Sequence, residues 1–201
     1  MTQTITGLFN THTEARAAVE ALRSAGIDEQ DISIVGNNAD GSYKAETTTD
    51  TSEAAGQGAG IGAIVGGAGG LLTGLGIMAI PGVGPVVAAG WLAATAVGAA
   101  AGAAVGGAAG GLIGGLTAKG VPEHDAHIYA EGIRRGGTLV TAIVDEADEA
   151  AARDILNGSR SLDLAARERA FRDDGWTGFD ENAPGMTRAE IEAERARVQF
   201  R

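Results

Sequence analysis

An α+β fold is predicted: a ferredoxin-like β-α-β-β-α-β sandwich, split by a long antiparallel glycine-zipper helical hairpin and followed by a charged tail. Three observations carry this reading. Two β-α-β patterns lie at the ends of the main body, and a weak internal repeat links them: AAVEAL at 17–22 matches AARDIL at 151–156. Between them, residues 56–118 contain no charged side chain. Within that run Gly58, Gly62, Gly66, Gly70 and Gly74 recur every fourth position, and so do Gly98, Gly102, Gly106, Gly110 and Gly114. Residues four apart share one face of a helix, and glycines there leave a groove in which another backbone can approach closely.

The first unit begins with a strand over 4–9, where Ile5, Gly7 and Phe9 alternate against Thr4, Thr6 and Leu8. Thr11 with Glu14 three residues on is a capping box that opens a helix to about Ala25. Ala15, Ala18, Val19 and Leu22 form its apolar face, and Gly26 ends it. DISIVG at 31–36 is a second strand, and the polar, threonine-rich stretch 37–53 is a loop. Residues 1–55 thus make the first half of the sandwich.

Residues 56–118 form the hairpin in this reading, with PGVGP at 81–85 as its turn. Helices over 56–80 and 86–116 would run about 37 and 46 Å at 1.5 Å per residue, either long enough for a hydrocarbon core of about 30 Å. The second helix carries a further small row at Ala99, Ala103, Gly107, Gly111 and Gly115, so it offers close approach on two sides. Each glycine costs about 1 kcal/mol relative to alanine in a helix interior, which tight packing has to offset. Three settings remain open: a membrane-embedded hairpin, with Trp91 as a weak interfacial marker; the dry core of a homo-oligomer or filament; or a hairpin folded on its own sandwich.

Residues 119–165 complete the sandwich. Lys119-Gly-Val-Pro122 breaks the chain, 122–135 is a helix, and TLVTAIV at 138–144 is a strand rich in β-branched residues. A helix over 147–157 and a fourth strand over 161–165 follow. Residues 166–201 are a tail with turn residues over 173–185 and a short helix to about Val198, opened by the Thr187–Glu190 capping box. In the tail, Trp176 and Phe179 either dock on another subunit or pin the tail to its own sandwich.

The composition restricts function. The net charge of −11 sits on the segments flanking the uncharged run. Nucleic acid is therefore not expected as a partner, because phosphate binding needs a cationic face. Cysteine is absent, which excludes disulfides, thiolate metal sites and cysteine nucleophiles. The first residues show no secretory signal pattern, so a cytoplasmic location is expected, as a soluble assembly or held at the inner membrane by the hairpin. The glycine runs match neither G-x-G-x-x-G with its strand nor G-x-x-x-x-G-K-[ST]. His127 and Glu131 share a helix face near His124 and Glu123, but no third metal ligand is evident, and a solvated helix start explains them. Arg134 and Arg135 read as cations at a helix C-terminus. No catalytic, cofactor-binding or metal residue is assigned, and the chain is not expected to be an enzyme.

With these elements in place, the chain resembles bacterial general stress proteins of the heat-induced, 17M-like type. ITGLFNTHTEARAAVEALRSAGIDEQDISIVG at 5–36, the glycine zipper and HIYAEGIRRGGTLVTAIV at 127–144 carry the resemblance, which covers about 3–158. It implies a stress-related role and a ferredoxin-like α+β module, and it brings no active site to transfer. The expected function is a non-enzymatic structural protein that homo-oligomerises through its zipper, with itself and the lipid bilayer as the partners considered. The alternative is an α+β module that senses a small molecule or metal.

Overall fold

The computed structural model describes residues 2–41, 76–93, 95, 111–158 and 161–199. Its centre is an antiparallel sheet in the order β1-β5-β2-β4-β3. The strands are β1 (Gln3–Phe9), β2 (Ile32–Asn37), β3 (Gly76–Ile80), β4 (Gly84–Gly90) and β5 (Thr138–Val144). The helices are α1 (His12–Ser24), α2 (Leu112–Ala118), α3 (Glu123–Arg134), α4 (Glu149–Leu156), α5 (Leu164–Asp173) and α6 (Arg188–Gln199).

The first unit forms for the reasons its sequence gives. The Glu14 N–H donates to Thr11 Oγ1 at 3.2 Å and the Thr11 N–H to Glu14 Oε2 at 3.1 Å, so the capping box holds the start of α1. Ala15, Ala18, Val19 and Leu22 are buried. β5 lies between β1 and β2, antiparallel to both, with Ile5 opposite Ala142 and Ile34 opposite Val140. α1 and α4 cover one face of the sheet through Phe9, Val19, Leu22, Val140, Ala152 and Leu156. α2, α3 and the tail cover the other, through Leu8, Val35, Leu116, Tyr129, Ile133 and Leu139. Because both faces are covered, β2 is buried along its whole length.

The largest correction falls on the uncharged run. Its middle is a β-hairpin, and PGVGP turns two strands rather than two helices. The Val83 N–H donates to Ile80 O at 3.0 Å, with Gly82 at φ +74° behind Pro81, the backbone of a type II turn. β-branched Ile77, Ile80, Val86 and Val87 favour extended backbone. Val86 to Ala89 are buried consecutively, as in a strand covered on both sides. A short apolar run of this kind has no helical period, and the four-residue glycine spacing on either side masked that fact.

A second correction concerns 161–165. The Leu162 N–H makes one ladder-like bond to Leu8 O on the outer edge of β1, at 2.8 Å. The chain then turns into α5, because the Asp163 side chain accepts the Ala166 N–H at 2.7 Å and caps a helix there.

His12 provides a test of this packing. It opens α1, one turn before Arg16, and its Nδ1 lies 3.2 Å from where a Cβ on Gly36 would sit. Burial, with Arg16 second, lowers its pKa from 6.5 to about 4. The unfolded chain then takes up a proton near pH 6.5 and the folded one only near pH 4, so stability falls as pH falls through that window. The loss should reach about 3 kcal/mol, and denaturant titrations of His12→Gln should show a flatter profile between pH 6.5 and 4. The low-pKa carboxylates Asp174 and Glu190 act below their ordinary range, outside most of that window.

Candidate interaction surface

The densest group of charged side chains lies where α3 ends. Glu131 is 1% exposed. It accepts Arg134 Nε and Nη2, each at 2.9 Å, and Arg135 Nε at 2.6 Å. Buried carboxylates survive only when paired in this way. Arg135 reaches on to Asp174 at 2.8 Å and Glu194 at 3.3 Å, and Arg197 joins the same two acids. Burial opposes the Arg135 charge, but Glu131, Asp174 and Glu194 outweigh it and raise its pKa. For Asp174, burial is likewise outweighed by Arg135 and Arg197, and its pKa is lowered. The carbonyls at the end of α3 are met from β2, where Asn37 Nδ2 donates to Ile133 O at 3.1 Å.

Through these groups the tail is strapped to the sandwich. Phe171, 1% exposed, lies under the Arg135 guanidinium, 4.5 Å from ring centroid to Cζ. Trp176 meets the Phe171 ring edge-to-face at 5.9 Å. Phe179 packs on the β3–β4 turn, where its ring would be 2.8 Å from a Cβ on Gly82. Trp176 and Phe179 thus lie against their own sandwich in this chain. Arg167 bonds Asn10 Oδ1, and Arg195 Nη2 donates to Gly136 O at 2.9 Å.

Of the ladder glycines, Gly58, Gly62, Gly66, Gly70, Gly74, Gly98, Gly102, Gly106, Gly107 and Gly110 lie outside the described residues. Gly111 is the N-cap residue of α2, and Gly114 and Gly115 lie within that helix. Gly115 is buried, and a Cβ on it would stand 3.1 Å from both Leu92 Cδ1 and Thr95 Cγ2. That is close approach to a helical turn of the same chain. Trp91 begins that turn, partly buried on the core with Lys119 Nζ 5.8 Å from its ring. It is a core-packing residue here.

The histidine pattern is rearranged. Glu131 belongs to the arginines, and the nearest carboxylate to His127 Nε2 is Glu123, at 4.0 Å. His124 Nε2 pairs with Glu168 at 3.2 Å. Among the described residues no group of three or more His, Cys, Asp or Glu is placed to hold a metal. Two open polar grooves of about 320 and 230 Å³ flank the 2.6 Å Thr6–Tyr129 hydroxyl pair. Burial raises the Tyr129 pKa, so the phenol stays neutral.

Sequence reading missed the strap and α5. Asp163 as a cap, with Leu164 and Phe171 seven apart, was the available signal for the helix. The pairing of Glu131 with Asp174 and Glu194 through Arg135 had none, because it joins residues distant in sequence.

Fold and surface together define a three-layer α+β protein, its sheet filled on both faces and its acidic body carrying glycine-rich, uncharged segments. Residues 4–82 match the family model described as heat induced stress protein YflT domain. That part of the chain, from β1 through the β3–β4 turn, is similar to stress-protein domains of this kind, consistent with a bacterial general stress protein family. The quoted stretch 127–144 lies beyond the matched residues. No curated protein and no solved structure matches the chain.

Proposed function

We propose that this chain is a non-enzymatic, stress-associated structural protein, built on a ferredoxin-like sandwich, that assembles with copies of itself through its glycine ladders. The stress association rests on the matched domain. The observation that supports the ladder reading best is Gly115. At this described member of the second helix's small row, a Cβ would stand 3.1 Å from Leu92 Cδ1 and Thr95 Cγ2, so the missing side chain makes room for a close neighbour, here a turn of the same chain.

The corrected turn also bears on the setting. β3 and β4 occupy 76–80 and 84–90, so PGVGP does not join two uninterrupted helices over 56–80 and 86–116. Among the described residues no helix is long and apolar enough to cross a membrane. The setting adopted in this proposal is a protein-only assembly, because the PGVGP turn lies between two strands of the sheet. Fractionation of full-length protein without detergent tests this. Large particles in the soluble fraction are expected; pelleting with lipid and release only by detergent would contradict it.

A further inference from the structure

β3 stands at the end of the strand order opposite β1. β3 pairs with β4, with Ile77 opposite Val87, Met78 opposite Val86 and Ala79 opposite Pro85. Pro85 has no N–H, and its carbonyl accepts the Asn38 N–H at 2.8 Å, on the side away from β3. The Ala79–Pro85 pair is therefore one that exchanges no hydrogen bonds. Antiparallel pairs alternate, so Ile77–Val87 is another, and the N–H and C=O groups of Ile77 and Ala79 point outward from the sheet.

Free edges are normally blunted by charge, proline or a bulge. The opposite edge follows that rule. The Leu162 N–H bonds Leu8 O on β1, and the Gln3, Glu149 and Arg153 side chains bond one another beside it. GIMAI at 76–80 has neither charge nor proline, and Ile77, 42% exposed, is the large hydrophobic residue left in solvent among the described residues.

We propose that the occupant of this edge is β3 of a second copy, paired antiparallel about a two-fold axis through residue 78. Ile77 then faces Ala79 of the partner subunit, twice by symmetry, and each pair exchanges both bonds. The two sheets become one continuous sheet. The like-charged bodies of a chain with net charge −11 repel, but β3 lies inside the uncharged run 56–118, so the paired strands themselves carry no charge. A two-fold contact needs a surface complementary to itself, which an antiparallel strand edge supplies. The inference rests on the self-assembly reading above but places a contact on a different surface.

The chain has no cysteine, so a single introduced thiol reports the contact cleanly. The two-fold axis makes position 78 a pair without hydrogen bonds between copies, with Cα atoms about 4.5 Å apart, inside the range of a disulfide. Mild oxidation of full-length Met78→Cys should convert most of the protein to a disulfide dimer on a non-reducing gel. Glu192→Cys, exposed on α6, is the control for random collision. Ala79→Pro in the Met78→Cys background removes an outward N–H that no described residue accepts, as edge strands tolerate. It should cut the cross-link at least tenfold while circular dichroism and the melting temperature are kept. A yield no higher than the control overturns the proposal, and so does a cross-link that survives Ala79→Pro. Adding Gly66→Leu and Gly106→Leu separates the two readings. A cross-link that persists after particle size collapses supports both contacts. Unchanged particles with the cross-link intact leave the edge standing and remove the ladder, and particles that collapse with no cross-link above the control do the reverse.

Discussion

Gly90→Ala should destabilise the protein by about 4 kcal/mol or prevent folding. Gly90 ends β4 at φ +84°, and a Cβ there would stand 2.2 Å from Ile32 O and 2.8 Å from Ser33 Cα. Both are backbone atoms of the strand beside it, so no side chain can swing away to relieve the contact. The bend has its own supports: Ser33 Oγ donates to Ala89 O at 2.7 Å and accepts the Leu92 N–H at 3.2 Å. Shifting β2 from β4 would break both. Gly26→Ala is the control. Gly26 has a similar φ of +93° but nothing within 4 Å of its Cβ position, so it reports the cost of the conformation alone, about 1 kcal/mol. Urea unfolding of both variants measures the difference. Equal losses would show that β4 does not press on β2 as described.

Glu131→Gln should cost about 3 kcal/mol and loosen the tail before the sandwich. The carboxylate holds Arg134 and Arg135 side by side, and without its charge two guanidinium groups face each other with half their acceptors neutralised. Arg135 also carries the contacts to Asp174 and Glu194, so the effect passes to α5 and α6. Urea unfolding should show the global loss. Limited proteolysis should show faster cleavage over 174–187, the stretch between the two tail helices. Lost stability with unchanged cleavage would mean that the strap is held by Phe171 packing rather than by the charge network.

Local chemistry made much of the sandwich legible. The Thr11–Glu14 box, the alternation of Ile5 and Phe9 against Leu8, and the β-branched run of β5 each state their structure within a few residues, and the structure agrees. The Thr187–Glu190 box of α6 is of the same kind, with the Thr187 N–H donating to Glu190 Oε2 at 2.7 Å. Legibility failed where two periods overlapped. Gly74, Gly82 and Gly90 fit a spacing of eight and Gly98 continues it, so the eye carries a helix across a strand–turn–strand. Ile77, Ile80 and Val86–Val87 pointed the other way, toward a strand. The strap was illegible for a different reason. In the sequence Glu131 looks like a surface acid near the polar end of a helix, and the structure buries it beneath Arg134 and Arg135. Of the ladder surface, Gly115 shows that a small residue was needed; its partner, a turn in its own chain, could not be read from spacing.

The central claim, that the glycine ladders join copies of the chain, is tested most directly by mass. Light scattering on a sizing column should give full-length protein the mass of a multi-subunit assembly. The Gly66→Leu, Gly106→Leu double variant, with side chains filling both grooves, should elute with a smaller mass and an unchanged circular dichroism spectrum. Equal masses for the two proteins, or a monomer in both, would contradict the account.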